Sequence, residues 1–282
     1  MMDDALIAYR MRGCSANLVA GAHLGREPGG SGQFRDHVPF LRCPDARRID
    51  LRASLRDPFG EIYVRRFNQR MSIDVYALVD LSASMGFVGR ASKYHLVADF
   101  CTLLARSARG YGDAFGLIGF DESVRDDFMF PLARRRGLDV EIGRAFESLA
   151  PIGRSAAGLA DAARSVAGRR KLVFLVSDFR LRMAKIEEAL AALGRHDIAP
   201  ILVGDSAEEE DLPPWGLIEL ADLETGRRRK IFMRPSLREK WRAEARARRT
   251  RLRRLLMRYG RPPIELADRL DADEMSRHLL EG

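Results

Sequence analysis

The stretch IDVYALVDLSASM, residues 73–85, is a run of branched and aromatic residues that ends on a carboxylate, Asp80, followed at alternate positions by two hydroxyls, Ser82 and Ser84. Three more segments share its short, apolar, breaker-flanked character: AFGLIGF (114–120), KLVFLVSD (171–178) and IAPILVG (198–204). None alternates cleanly between polar and apolar. Strands apolar on both faces belong in a sheet covered on both sides, and such sheets are mostly parallel. Helical patterns lie between and beside them at 92–110, 137–150, 156–168 and 183–196, several closed by glycine or a basic residue. Strand and helix therefore alternate, which predicts an α/β domain with a doubly wound, mostly parallel sheet. The segment SVRDDFMF (123–130) follows AFGLIGF after only Asp121 and Glu122. So short a gap forces a hairpin and gives the sheet one antiparallel edge strand.

The chain's 282 residues, 46% of them hydrophobic, are enough for a full core. The sequence suggests a first region at 1–70, an extension that packs on the core, and a main domain at 71–282. Within the extension, 21–36 is rich in glycine and reads as irregular, with GREPGG as a flexible turn, and EIYVRRF (61–67) reads as a strand. GREPGG lacks the GK[ST] ending of a phosphate loop. No apolar run approaches the roughly 18 residues of a membrane helix, and the N-terminal residues do not resemble a signal peptide. A cytoplasmic protein is expected. Cys14, Cys43 and Cys101 are odd in number and widely spaced, which fits neither a disulfide framework nor a zinc site. Residues 227–258 hold far more arginine than acid and more than account for the net charge of +8. Leu237, Trp241, Ala245, Leu252, Leu255, Leu256 and Tyr259 recur there at helical spacing, so the segment reads as an amphipathic helix with one basic face.

Ligands of doubly wound domains bind beyond the carboxyl ends of the strands. Asp80, Ser82 and Ser84 fall at that edge, and two more polar groups are expected there. They are Asp178, at the end of the 171–178 strand, and Ser155, in the loop PIGRSAAG ahead of a helix. Two carboxylates and three hydroxyls form a hard-oxygen donor set suited to Mg²⁺, or Mn²⁺, and not to zinc. Two carboxylates about 5 Å apart repel by roughly 3 kcal/mol at an effective dielectric near 20, a cost that a divalent cation removes. No base is in evidence to activate a water, so the set suits binding a partner's Asp or Glu and not hydrolysis.

Asp80-Leu-Ser82-Ala-Ser84, with Gly153-Arg-Ser155 and Ser177-Asp178-Phe179 downstream, resembles the metal-ion-dependent adhesion site of the von Willebrand factor A fold. Ser155 stands where that pattern usually has threonine. Together with CPDARRIDLRAS (43–54), EIYVRRF and EEEDLPPWGLIELADLETG (208–226), the chain is similar to a bacterial domain-of-unknown-function family with a von Willebrand A-like core. Members are commonly encoded beside MoxR-type AAA+ ATPases, and one type occurs in methanol-oxidation clusters. The resemblance implies a doubly wound sheet with one antiparallel edge strand. It also implies a Mg²⁺ held by Asp80, Ser82, Ser84, Ser155 and Asp178, and an adaptor that joins a client protein to a MoxR-type ATPase without catalysing a reaction.

Two other readings compete. Ser84, Asp178 and His196 follow the chain order of an α/β-hydrolase triad, with Ser82-Ala-Ser84-Met-Gly86 approximating its elbow. The arginine-rich helix could meet nucleic acid, although aromatics packed inward are poorly placed for base stacking, and an acidic protein surface suits it better. Asp80, Ser82 and Asp178 also suit helix caps, which leaves Ser84 unexplained. None of the five histidines shows metal-ligand spacing.

Overall fold

Four apolar runs form the parallel heart of a six-stranded sheet: β4 (Asp74–Asp80), β5 (Ala114–Phe120), β7 (Leu172–Ser177) and β8 (Asp197–Gly204). With β6 (Val124–Ala133) and β11 (Ile264–Ala267) the spatial order is β11-β8-β7-β4-β5-β6. All neighbours are parallel except β5 and β6, which pair antiparallel as the short gap between them requires. The computed structural model describes residues 6–12, 23–29, 32–149, 151, 153–205, 213–221 and 228–281. Cys14, and parts of the 208–226 stretch, lie outside the described residues; Cys43 and Cys101 are free thiols.

Both faces of the sheet are covered, which is why the strands carry no polar alternation. On one face Leu78, Ile118, Val173, Leu175 and Ile198 join a core with α4 (Leu159–Ser165), α5 (Met183–Ala192) and the long α6 (Pro235–Tyr259). On the other, Phe174 meets Phe100 of α2 (Lys93–Tyr111) edge-on, and α2 packs against α3 (Leu138–Ser148). Helix α6 buries only Leu252 and Leu256 fully. Leu255 and Tyr259 pack against the same core, so this helix is anchored by its C-terminal half.

The chain divides into two compact units, Arg12–Ile73 and Met1–Met11 with Asp74–Gly282. Within the larger unit the segment from Leu6 joins elements far away in sequence. Ile7 N–H donates to Ser107 Oγ (2.8 Å), Ala8 N–H donates to Ser276 Oγ of α7 (Ala272–Glu281) (2.9 Å), and the Tyr9 hydroxyl donates to Asp113 (2.8 Å). Among the described residues no helix is long and apolar enough to cross a membrane.

In the smaller unit, β1 (His23–Gly29), β2 (Gly32–Pro39) and β3 (Tyr63–Met71) form an antiparallel sheet of order β1-β3-β2. The expectation of an irregular 21–36 is therefore corrected. Both glycine-rich strands lie at edges, where Pro28 loses no needed ladder bond, and register shifts at Leu24/Pro28 and Phe34/Asp36 absorb the poor strand formers. Asp50 caps α1 (Leu51–Arg56) by accepting from the N–H groups of Arg52 (3.0 Å) and Ala53 (3.1 Å). Its second oxygen takes Arg65 Nε (2.7 Å) and His37 Nε2 (2.9 Å), which holds this carboxyl well below its usual range. The strand β9 (Gly216–Ala221) pairs antiparallel with β10 (Arg228–Met233).

Candidate functional site

The in-register pairing of β4 and β7 sets Val79 beside Val176, so the residues that follow, Asp80 and Ser177, emerge side by side at the carboxyl edge. The Ser177 hydroxyl donates to Asp80 Oδ2 (2.6 Å), and Ser82 N–H donates to Asp80 Oδ1 (2.9 Å). Ser177 Oγ in turn accepts Phe179 N–H (2.8 Å), which fixes the turn that carries Asp178. Asp80 is almost fully buried. Burial, and then the negative charge of Asp178, push its carboxyl up to about 7, against the opposing hydrogen bonds from Ser177 and Ser82.

Residues 83–86 make one 3-10 turn, which brings the Ser82 and Ser84 hydroxyls 3.2 Å apart. Both are buried, and a hydroxyl oxygen carries two lone pairs, so each keeps acceptor capacity beyond this mutual contact. The third loop is clamped to the first: Ser82 and Gly153 form a parallel bridge, and Ala83 N–H donates to Gly153 O (2.7 Å). Gly153 is required for this close approach, since a Cβ there would overlap Asp121 Cβ and lie 2.9 Å from its Cγ. Ser155, two residues on, is half-buried and accepts Ala157 N–H (3.4 Å) at the head of α4. Among the described residues it makes no direct hydrogen bond to the other four.

Asp178 Oδ1 accepts Arg180 N–H (3.1 Å), while Oδ2 lies 3.6 Å from Arg180 Nε and 3.5 Å from Lys93 Nζ. Sequence reasoning missed Lys93. Its side chain is fully buried, its ammonium lies 5.6 Å from the Phe87 ring centroid, and it is the first residue of α2. Ser177, the first residue of the Ser177-Asp178-Phe179 pattern, is the direct partner of Asp80. Asp121 and Asp205 were also missed. Asp121 follows β5 and pairs with Arg125 (2.9 Å); Asp205 follows β8 and accepts Ala91 N–H (3.0 Å). Each of the four parallel central strands thus ends on or beside a carboxylate, and only a residue-by-residue check of strand ends could have found the last two.

The neighbouring backbone is unusual. Phe179 is fully buried at φ 52°, in the left-handed region that a bulky residue rarely adopts. Its carbonyl and that of Leu181 accept Arg248 of α6 at 2.8 and 2.6 Å. The basic helix thereby reaches the loop that bears Asp178. Other arginines of α6 are engaged within the unit: Arg249 and Arg253 with Glu265 (2.7 and 3.1 Å), and Arg258 with Glu187 (2.6 Å).

The hydrolase reading fails on geometry. His196 precedes Asp197, which pairs with Leu172 at the start of β7, whereas Asp178 follows the end of that strand. A strand of this length separates the two edges by about 20 Å. His196 is instead a core residue, its Nδ1 accepting Lys171 N–H (3.2 Å) and its Nε2 facing Val166 O (3.0 Å). Burial lowers its pKa.

The donors at this edge are hard oxygens of the type a divalent cation takes: Asp80 ends β4, Asp178 follows β7, and the Ser82 and Ser84 hydroxyls lie 3.2 Å apart on the turn after β4. Among the described residues there is no cluster of three His, Cys, Asp or Glu, so a site here depends on hydroxyl oxygens. BatB from Bacteroides thetaiotaomicron is 16% identical, the match covering 73% of this chain and 98% of that one, with a TM-score of 0.42. Proximal thread matrix protein 1 from mussel byssus, in a form with a zinc-occupied MIDAS motif, is 21% identical at a TM-score of 0.38. That match covers 47% of this chain and only 38% of the mussel protein. An "Uncharacterized protein in moxR 3'region" of Paracoccus denitrificans is 38% identical over 97 residues, 34% of this chain and 92% of that protein. An uncharacterised protein of Mycobacterium tuberculosis is 26% identical over 259 residues, 91% of this chain and 80% of its own. The family described as "Protein of unknown function DUF58" matches residues 40–251, and the chain belongs to it.

Proposed function

We propose that this protein is a non-enzymatic, metal-dependent adaptor that acts in the cytoplasm and links a client protein to a MoxR-type AAA+ ATPase. The observation that carries the reading is the buried set at the carboxyl edge, in which Asp80 is held by Ser177 and Ser82 while the Ser82 and Ser84 hydroxyls face one another at 3.2 Å. Asp80, Ser82, Ser84, Ser155 and Asp178 would hold Mg²⁺, or Mn²⁺. Bound there, the cation would supply an open coordination position to a client's Asp or Glu.

The chain's own residues do the rest. Ser177 and Ser82 fix the Asp80 carboxylate, the Gly153 clamp sets the third loop against the first, and Arg248 holds the Asp178 loop through two carbonyls. The ATPase link is supported by the Paracoccus relative, whose description places it in a moxR 3' region.

A pull-down from native extract tests the reading. With Mg²⁺ the wild-type protein should retain a client and the ATPase, and EDTA or Asp80→Ala should release the client. The ATPase need not follow if it docks on another face. A client retained equally with EDTA and with Asp80→Ala would overturn the metal dependence.

A further inference from the structure

Lys93 breaks two local rules. It opens α2, where the helix dipole favours acids, and its side chain has no exposure to solvent, where an ammonium is costly unless paired. Such a lysine persists only where negative charge holds it, and its neighbours supply that charge. Asp178 Oδ2 lies 3.5 Å from Nζ, and Asp178 in turn acts on Asp80. Lys93 is also tied to the serine loop, through its own N–H to Phe87 O (3.4 Å) and through its ammonium near the Phe87 ring.

Charge counting then has a consequence. Asp80 and Asp178 without Lys93 would be neutralised by one divalent cation. With Lys93 in place the same three groups sum to −1, so a divalent cation alone leaves +1, and one further carboxylate restores neutrality. Arg180, at 3.6 Å from Asp178 but 53% exposed, adds a solvent-screened charge of the same sign. The Arg248 guanidinium, turned to the Phe179 and Leu181 carbonyls, adds another.

We propose that Lys93 is a built-in counter-cation that weakens metal binding in the absence of a partner, so that the divalent ion and the partner's carboxylate bind together. The inference rests on the metal-site reading above and adds its regulation. The adaptor would hold its metal firmly only while a client's acid is in place, so that losing either ligand would loosen the other, as reciprocal coupling requires.

The test is Mn²⁺ binding followed by electron paramagnetic resonance at fixed pH and ionic strength, with acetate replacing chloride as the carboxylate probe. Wild type should bind Mn²⁺ weakly in chloride and more tightly in acetate. Lys93→Met, with Lys93→Gln as a second neutral variant should the first fold poorly, should bind Mn²⁺ at least about tenfold tighter in chloride and lose the acetate effect. Lys93→Arg, which keeps the charge, should stay near wild type. If wild type binds Mn²⁺ but the neutral variants bind no tighter, the role of Lys93 is overturned while the metal site stands. If wild type and the neutral variants all fail to bind at millimolar Mn²⁺, while Asp80→Ala behaves identically, the metal-site reading itself falls.

Discussion

At the scale of single residues, the two oxygens of Asp80 are contested by a proton, by two hydrogen-bond donors and by any cation that enters. Without metal, burial and the charge of Asp178 raise the Asp80 carboxyl to about 7 in the folded protein, whereas in the unfolded chain it keeps the ordinary value of 3.8. A group raised in this way contributes stability that is fully present below the lower value and lost as pH rises through the upper one. In EDTA, the melting temperature of wild type should therefore fall relative to that of Asp80→Asn as pH rises from about 5 to 7.5. Parallel curves for the two proteins would show that Asp80 is not held neutral. The Asp-x-Ser-x-Ser spacing was legible in the sequence because all three residues sit on one strand end and its turn. Ser177 and Lys93 were not, because their roles arise across β4, β7 and the start of α2, and the pair Ser177–Asp80 is 97 residues apart. A lysine opening a helix looks like surface charge until its burial is seen.

At the scale of elements, Gly153 decides whether the third loop can reach the first. Its substitution by Ala drives a methyl into Asp121, and the Ala83–Gly153 hydrogen bond and the position of Ser155 must shift together. Gly153→Ala should cost about 1–3 kcal/mol in urea unfolding. It should also weaken Mn²⁺ binding, and unchanged affinity would separate Ser155 from the site. The parallel strands β4, β5, β7 and β8 were legible to within a residue or two, since complete burial of both faces leaves an unbroken apolar signature. The strands β1, β2 and β11 were not. The first two are edge strands of glycine and proline whose ladder with β3 overrides weak propensity, and β11 is a four-residue segment defined only by its pairing with β8.

At the scale of the whole molecule, Arg261 joins parts that no motif connects. Almost without exposure, it pairs with Asp197 through Nε (3.1 Å) and Nη2 (2.6 Å), donates to Leu279 O (2.7 Å), and reaches Arg10 O. Breaking such a buried pair on one side leaves an uncompensated charge, and Arg261→Met should lower stability by about 3–5 kcal/mol by denaturant unfolding. A double variant that also makes Asp197 apolar should recover part of that loss, whereas a purely additive outcome would mean the two charges are not coupled.

The Arg261–Arg10 and Ala8–Ser276 links span 251 and 268 residues. On the ribosome, Ala8 and Arg10 must wait, unlatched, for partners made more than two hundred residues later. The strands between them can pair before those links close, so the 6–12 segment joins the larger unit as a late step of its assembly.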